Sequence, residues 1–180
     1  MAVGVVDDAT DIELAFDRIT AGLELIAGFE PHVLSHMRRG AKGILIWNTP
    51  SASSVASWHP EVKLIIVNAR FLCGSETKPA NVATTLVHET THARLIRFGY
   101  RPKIRARVEA ICHRRERNFA RRLPGCDVLV AAIDRQLQRD PSDWSEDAHA
   151  GRVVKDLTEL GVPSSLVQLV LRLIGPFRQR

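Results

Sequence analysis

The sequence contains His88-Glu89-Thr90-Thr91-His92. On a helix, residues four apart lie one above the other on the same face, so both imidazoles can reach one metal ion. Glu89 follows the first histidine directly and can contact a water on that ion. This is the H-E-x-x-H spacing of a hydrolytic zinc site, in which two histidines bind and the glutamate takes a proton. The flanks Thr85-Leu86-Val87 and Ala93 carry no charge, as a helix buried beneath a cleft requires. His32 and His36 share the same spacing but have no acid between them, and they read as ordinary histidines.

A hydrolytic zinc needs a third protein ligand and one open position. If the helix carrying the motif turns near Tyr100-Arg101 and a second helix runs back, Glu109 comes level with the histidine pair. Glu109 is also an isolated acid in a strongly basic stretch. His113 is the rival third ligand, one helical turn further along, and Cys112 is a second alternative that reads more simply as a buried thiol. Glu116 lies seven residues past Glu109 on the same face. A salt bridge to a neighbouring arginine is its plainer role, and orientation of a ligand the sharper one. Tyr100 reads as a packing aromatic.

These residues need a frame. Thr10-Asp11-Ile12-Glu13 has the form of a capping box with Thr10 as N-cap. The stripe Ile12, Phe16, Ile19, Leu23, Ile26 then predicts a helix ending near Gly28. A short helix follows over Pro31 to Arg39. Gly43 to Trp47 and Val62 to Val67 read as strands, with Thr49 to Pro60 as a Ser- and Pro-rich loop between them. Helices are expected from Pro79 to Phe98, stopped by Gly99, and from Lys103 to Leu123 after Pro102. Further helical segments fall at 127–139, 153–160 and 164–174. The order predicts one α+β domain over residues 1–180: a small, mostly antiparallel sheet packed against the active-site helix, then a helical C-terminal region.

Composition narrows the class. The 180 residues are 45% hydrophobic and 25% charged, which suits a soluble globular domain and excludes a disordered chain. No apolar run is long enough to cross a membrane. Asp7, Asp8, Asp11 and Glu13 precede the first basic residue, Arg18, the reverse of a secretory leader. Three cysteines without a C-x-x-C pair suit a reducing compartment, so the expected location is cytoplasmic. The net charge of +5 is local: residues 101–122 carry +7 and the remainder −2. With apolar Ile104, Val108, Ile111 and Phe119 on one side, the basic residues read as a solvated outer face rather than a nucleic-acid surface.

The motif together with Glu109 and Ala110 resembles the gluzincin zinc metallopeptidases, in particular the small single-domain minigluzincins. The resemblance covers roughly residues 62–120. It implies a zincin-like fold, one Zn2+ per chain held by His88, His92 and Glu109, Glu89 as general base, and a peptide or protein substrate. It also implies that the strand at 62–67 is the sheet edge that holds the substrate backbone extended. Arg94 departs from the family pattern, which carries an apolar residue there. The alternative expectation is a non-enzymatic protein whose basic helix contacts nucleic acid or a protein partner, with a structural metal or none.

Overall fold

Proline has no backbone donor, and Pro79 opens a helix in the first turn, where none is needed. The side chain of Asn81 accepts the backbone N–H of Lys78 at 2.9 Å and secures that end. The helix that follows, Pro79–Leu95, is buried at almost every position from Val82 to Ala93. A helix apolar or neutral all round belongs in a protein interior. Thr84, Thr90 and Thr91 fit there because their hydroxyls donate to the carbonyls of Asn81, Leu86 and Val87 at 3.0, 2.7 and 2.8 Å.

The computed structural model describes residues 2–6, 11–48, 54–96, 104–159, 161–163 and 166. Among them the chain runs β1 (Ala2–Val6), α1 (Ile12–Phe29), α2 (Pro31–Gly40), β2 (Gly43–Trp47), β3 (Ala56–His59), β4 (Leu64–Asn68), α3 (Ala69–Cys73), α4 (Pro79–Leu95), α5 (Arg105–Ala120), α6 (Asp127–Leu137), a 3-10 turn (Pro141–Trp144) and α7 (Glu146–Glu159). The class is α+β. The turn at Tyr100-Arg101, with Gly99 and Pro102, lies outside the described residues. So does the helix expected over 164–174, Leu166 excepted.

The sheet differs from expectation. It has four strands in the order β1-β2-β4-β3 and is mixed. β1 pairs parallel with β2, β2 pairs parallel with β4, and only β3 and β4 are antiparallel. A parallel pair needs a crossover, which α1 and α2 supply between β1 and β2. After β2 the chain passes to the sheet edge, forms β3 and turns back, so β4 slots in beside β2 and points the same way. The run expected as the edge strand is thus an inner strand. Its consecutive Leu64, Ile65, Ile66 and Val67 suit a position covered on both sides. The edge is β3, Ala-Ser-Trp-His, short and half polar as edge strands are. It falls inside the stretch expected to be loop.

Helix α1 is capped by Asp11, whose carboxylate accepts the Leu14 N–H at 3.0 Å, rather than by Thr10. Its buried face is Ala15, Ile19, Gly22 and Ile26, while Ile12 is exposed. The face is centred on small residues because α1 crosses α4 closely there. A Cβ on Gly22 would lie 3.0 Å from Val82 Cγ1 and 3.2 Å from the Ala83 backbone nitrogen. α5 packs on the other side of α4, and the sheet and α1 share a core with it through Ile44, Ile46, Trp58, Ile65, Val67, Leu86 and Val87. No helix among the described residues is long and apolar enough to cross a membrane.

The basic helix is more than a solvated face. Arg115 and Arg122 both reach the carboxylate of Glu30, which is fully buried at the α1–α2 junction, the Arg122 contact being 3.2 Å. Arg117 and Arg121 reach Asp134 on α6 at 3.1 and 4.0 Å. Arg107 and Arg114 are exposed, as is Arg94.

The close crossing at Gly22 sets an expectation. Gly22→Ala gains about 1 kcal/mol of helix propensity. Overpacking against a backbone atom costs about 1–3 kcal/mol. The alanine variant should therefore unfold at lower urea concentration than the parent. Equal or greater stability would mean that α1 and α4 can part without cost.

Candidate metal centre

His88 and His92 stand one turn apart on α4, and α5 runs back along that helix to bring Glu109 beside them. His88 Nε2 and His92 Nε2 are 3.0 Å apart. Glu109 Oε2 lies 3.6 Å from His88 Nε2 and 3.4 Å from His92 Nε2. Two donors each about 2.0–2.1 Å from a tetrahedral zinc would be about 3.3 Å apart. The three atoms form a triangle of that size, so the residues fit a zinc ion. Glu89, next to His88 in the sequence, is buried.

Glu116 has a different role from the arginine salt bridge favoured by its neighbours in sequence. Its Oε2 lies 3.0 Å from His88 Nδ1 and 3.0 Å from His113 Nδ1. The seven-residue spacing from Glu109 carried this signal, because it returns to the same helix face after two turns. The His113 ring meets His88 edge-on with centroids 4.6 Å apart and lies tilted against Trp144 at 5.2 Å. Trp144 comes from the 3-10 turn, and nothing in the sequence linked it to the motif. Cys112 also sits within 4.8 Å of the two histidines of the motif, so it remains a possible donor by distance. His32 joins Glu30 and Arg115 instead, and His59 pairs with Ser57 Oγ at 2.9 Å.

The electrostatics favour a cation in the triangle. Three carboxylates, Glu89, Glu109 and Glu116, lie with three imidazoles between α4 and α5, mostly out of water. Unbalanced buried charge is costly, so such a group must gather protons or a metal. Burial opposes charge on His88, but the hydrogen bonds its ring donates to Glu109 and Glu116 overcome it and raise its pKa to about 10. Burial likewise works against ionised Glu109 and Glu116, yet their histidine partners hold both below the usual carboxylate range. Cys112 moves the other way. Burial, and then the nearby carboxylates, push its thiol far up, so it keeps its proton and makes a poor ligand beside Glu109.

Thiol chemistry offers a direct check. Cys73 and Cys126 are partly exposed and Cys112 is fully buried. At pH 8 an alkylating reagent is expected to modify Cys73 and Cys126 in the native protein and to reach Cys112 only after denaturation. Labelling of Cys112 at the rate of the other two would contradict its burial and its protonated state.

Comparison with protein-family models, with curated proteins and with solved structures finds no match.

Proposed function

We propose that the protein is a zinc-dependent peptidase in which His88, His92 and Glu109 hold one zinc ion and Glu89 is the general base. The observation that carries this reading is the triangle of donor atoms at 3.0, 3.4 and 3.6 Å, with Glu89 in the same helical turn. A zinc held there supplies a Lewis acid for a peptide carbonyl and lowers the pKa of a water toward ~7.

The chain's own residues supply the rest. Glu89 is buried one residue from His88, where it would accept a proton from a water beside the triangle and pass it to the departing amine. Edge strand β3 packs against α4. An edge strand can pair with an extended peptide, the recognition mode of strand addition. This is the role that the gluzincin resemblance gives to an edge strand, transferred from residues 62–67 to β3. The pairing of Arg115 and Arg117 to acids of their own chain weighs against the alternative of a nucleic-acid surface on α5. Three unpaired cysteines suit a reducing, cytoplasmic setting.

Two measurements test the reading. Dialysed protein is expected to hold about one zinc per chain, as the resemblance implies, because three protein ligands complete the site. Glu109→Ala and His92→Ala should lose it, and His113→Ala should keep it. Zinc retained by Glu109→Ala but lost from His113→Ala would replace the carboxylate with histidine as third ligand. Glu89→Gln should keep its zinc and lower turnover of an unfolded protein substrate by at least ~10²–10⁴. Near-parental turnover in that variant, with zinc bound, would sink the general-base assignment.

A further inference from the structure

We infer that Glu116 and His113 are a positioning pair for His88, fixing which nitrogen of its ring carries a proton and which faces the metal. This rests on the zinc reading above.

An ionised carboxylate can only accept hydrogen bonds. Glu116 Oε2 is 3.0 Å from the Nδ1 atoms of both His88 and His113, so each Nδ1 carries a proton and donates it to that one oxygen. In neutral His88 the lone pair is then on Nε2, the atom in the donor triangle with His92 and Glu109. A flipped ring would set a carbon against Glu116 and break the bond. Glu116 therefore sets both the tautomer and the ring orientation of a proposed ligand.

His113 acts on Glu116. It sits three residues earlier on α5, and its ring is held between His88 and Trp144 at 4.6 and 5.2 Å. Its Nε2 is buried with no hydrogen-bond partner among the described residues. A phenylalanine would fill the same space without that orphaned nitrogen. The Nδ1–H bond to Glu116 is what an imidazole adds there, and it anchors the carboxylate oxygen that His88 also uses. His113 is thus a support for the site rather than its third ligand.

The test uses the full chain and reads metal binding rather than turnover. Zinc affinity is measured by competition with a chromophoric chelator, and ligand geometry by the visible spectrum of the cobalt(II)-substituted protein. Glu116→Gln, nearly the same size, is expected to weaken zinc binding about 10–100-fold and to alter the cobalt spectrum, with unchanged far-ultraviolet circular dichroism. Glu116→Asp keeps the charge but withdraws the oxygen by about one C–C bond, ~1.5 Å. It should also bind more weakly, which a role through charge alone would not produce. His113→Phe should weaken binding less than Glu116→Gln. Added to Glu116→Gln it should change affinity by less than about two-fold, because the two act through one contact. Parental affinity and cobalt spectrum in both Glu116 variants, or fully additive losses in the double variant, would overturn the inference while leaving the zinc site standing. A parent chain that binds no zinc would overturn both.

Discussion

Burying three carboxylates between two helices is the constraint on which the rest of this structure depends. Glu89 lies on α4, and Glu109 and Glu116 lie on α5, all largely withdrawn from water. Left unbalanced, that charge would drive the helices apart or force protons onto the acids. Three imidazoles face them: Glu109 lies 3.4 and 3.6 Å from His92 and His88, and Glu116 lies 3.0 Å from both His88 and His113. The pairing spends stability on a polar interior that an apolar interface would supply at lower cost. A hydrophobic α4–α5 seam would hold the helices together equally well, so the arrangement does not follow from stability alone.

Holding such a cluster in register requires rigid neighbours. α4 is gripped on one side by α1, where Gly22 brings the two backbones together, and rests on a sheet whose inner strands supply Ile44, Ile46, Ile65 and Val67. The side chains of Thr90 and Thr91 close on their own helix, so no neighbour has to satisfy them. Phe119 locks the far end of α5 into the same core, with no exposed surface. A small separate cluster of Ile96, Val108 and Cys112 fills the space where the two helices converge. Apolar contacts thus surround the polar cluster and keep its distances short.

What was legible in the sequence follows from how local each signal is. The histidine pair needs only a helix, and Glu109 needs only a helix that turns back, so both could be placed by counting residues. β3 was hidden because an edge strand buries little, and Ala-Ser-Trp-His between prolines and serines looks like loop. The parallel pairing of β2 with β4 was hidden because strand direction depends on the path taken through β3, which no hydrophobic pattern records. Asp11 rather than Thr10 caps α1, a one-residue difference that pattern alone does not resolve. Glu116 was visible as a residue but not as a partner. Its choice between arginine and histidine depends on which way α5 is rotated, and that rotation is set by tertiary contacts.

Those contacts explain the charge of α5. Its inner face carries Val108, Glu109, Cys112 and Glu116, and its remaining surface is arginine-rich. Read from the sequence, that excess looked like solvated charge. In the fold Arg115 and Arg122 converge on Glu30, a carboxylate with no exposed side-chain surface, and Arg117 with Arg121 takes Asp134. Exposed ion pairs contribute little, but Glu30 is buried and cannot be satisfied by water. Its arginines therefore fix the rotation of α5 relative to α1 and α2. That rotation decides whether Glu109 and Glu116 face the histidines or solvent, since about 100° separates one residue from the next on a helix. The basic face of the helix thus aims its acidic face, and Arg115, Arg117, Arg121 and Arg122 meet acids of the same fold.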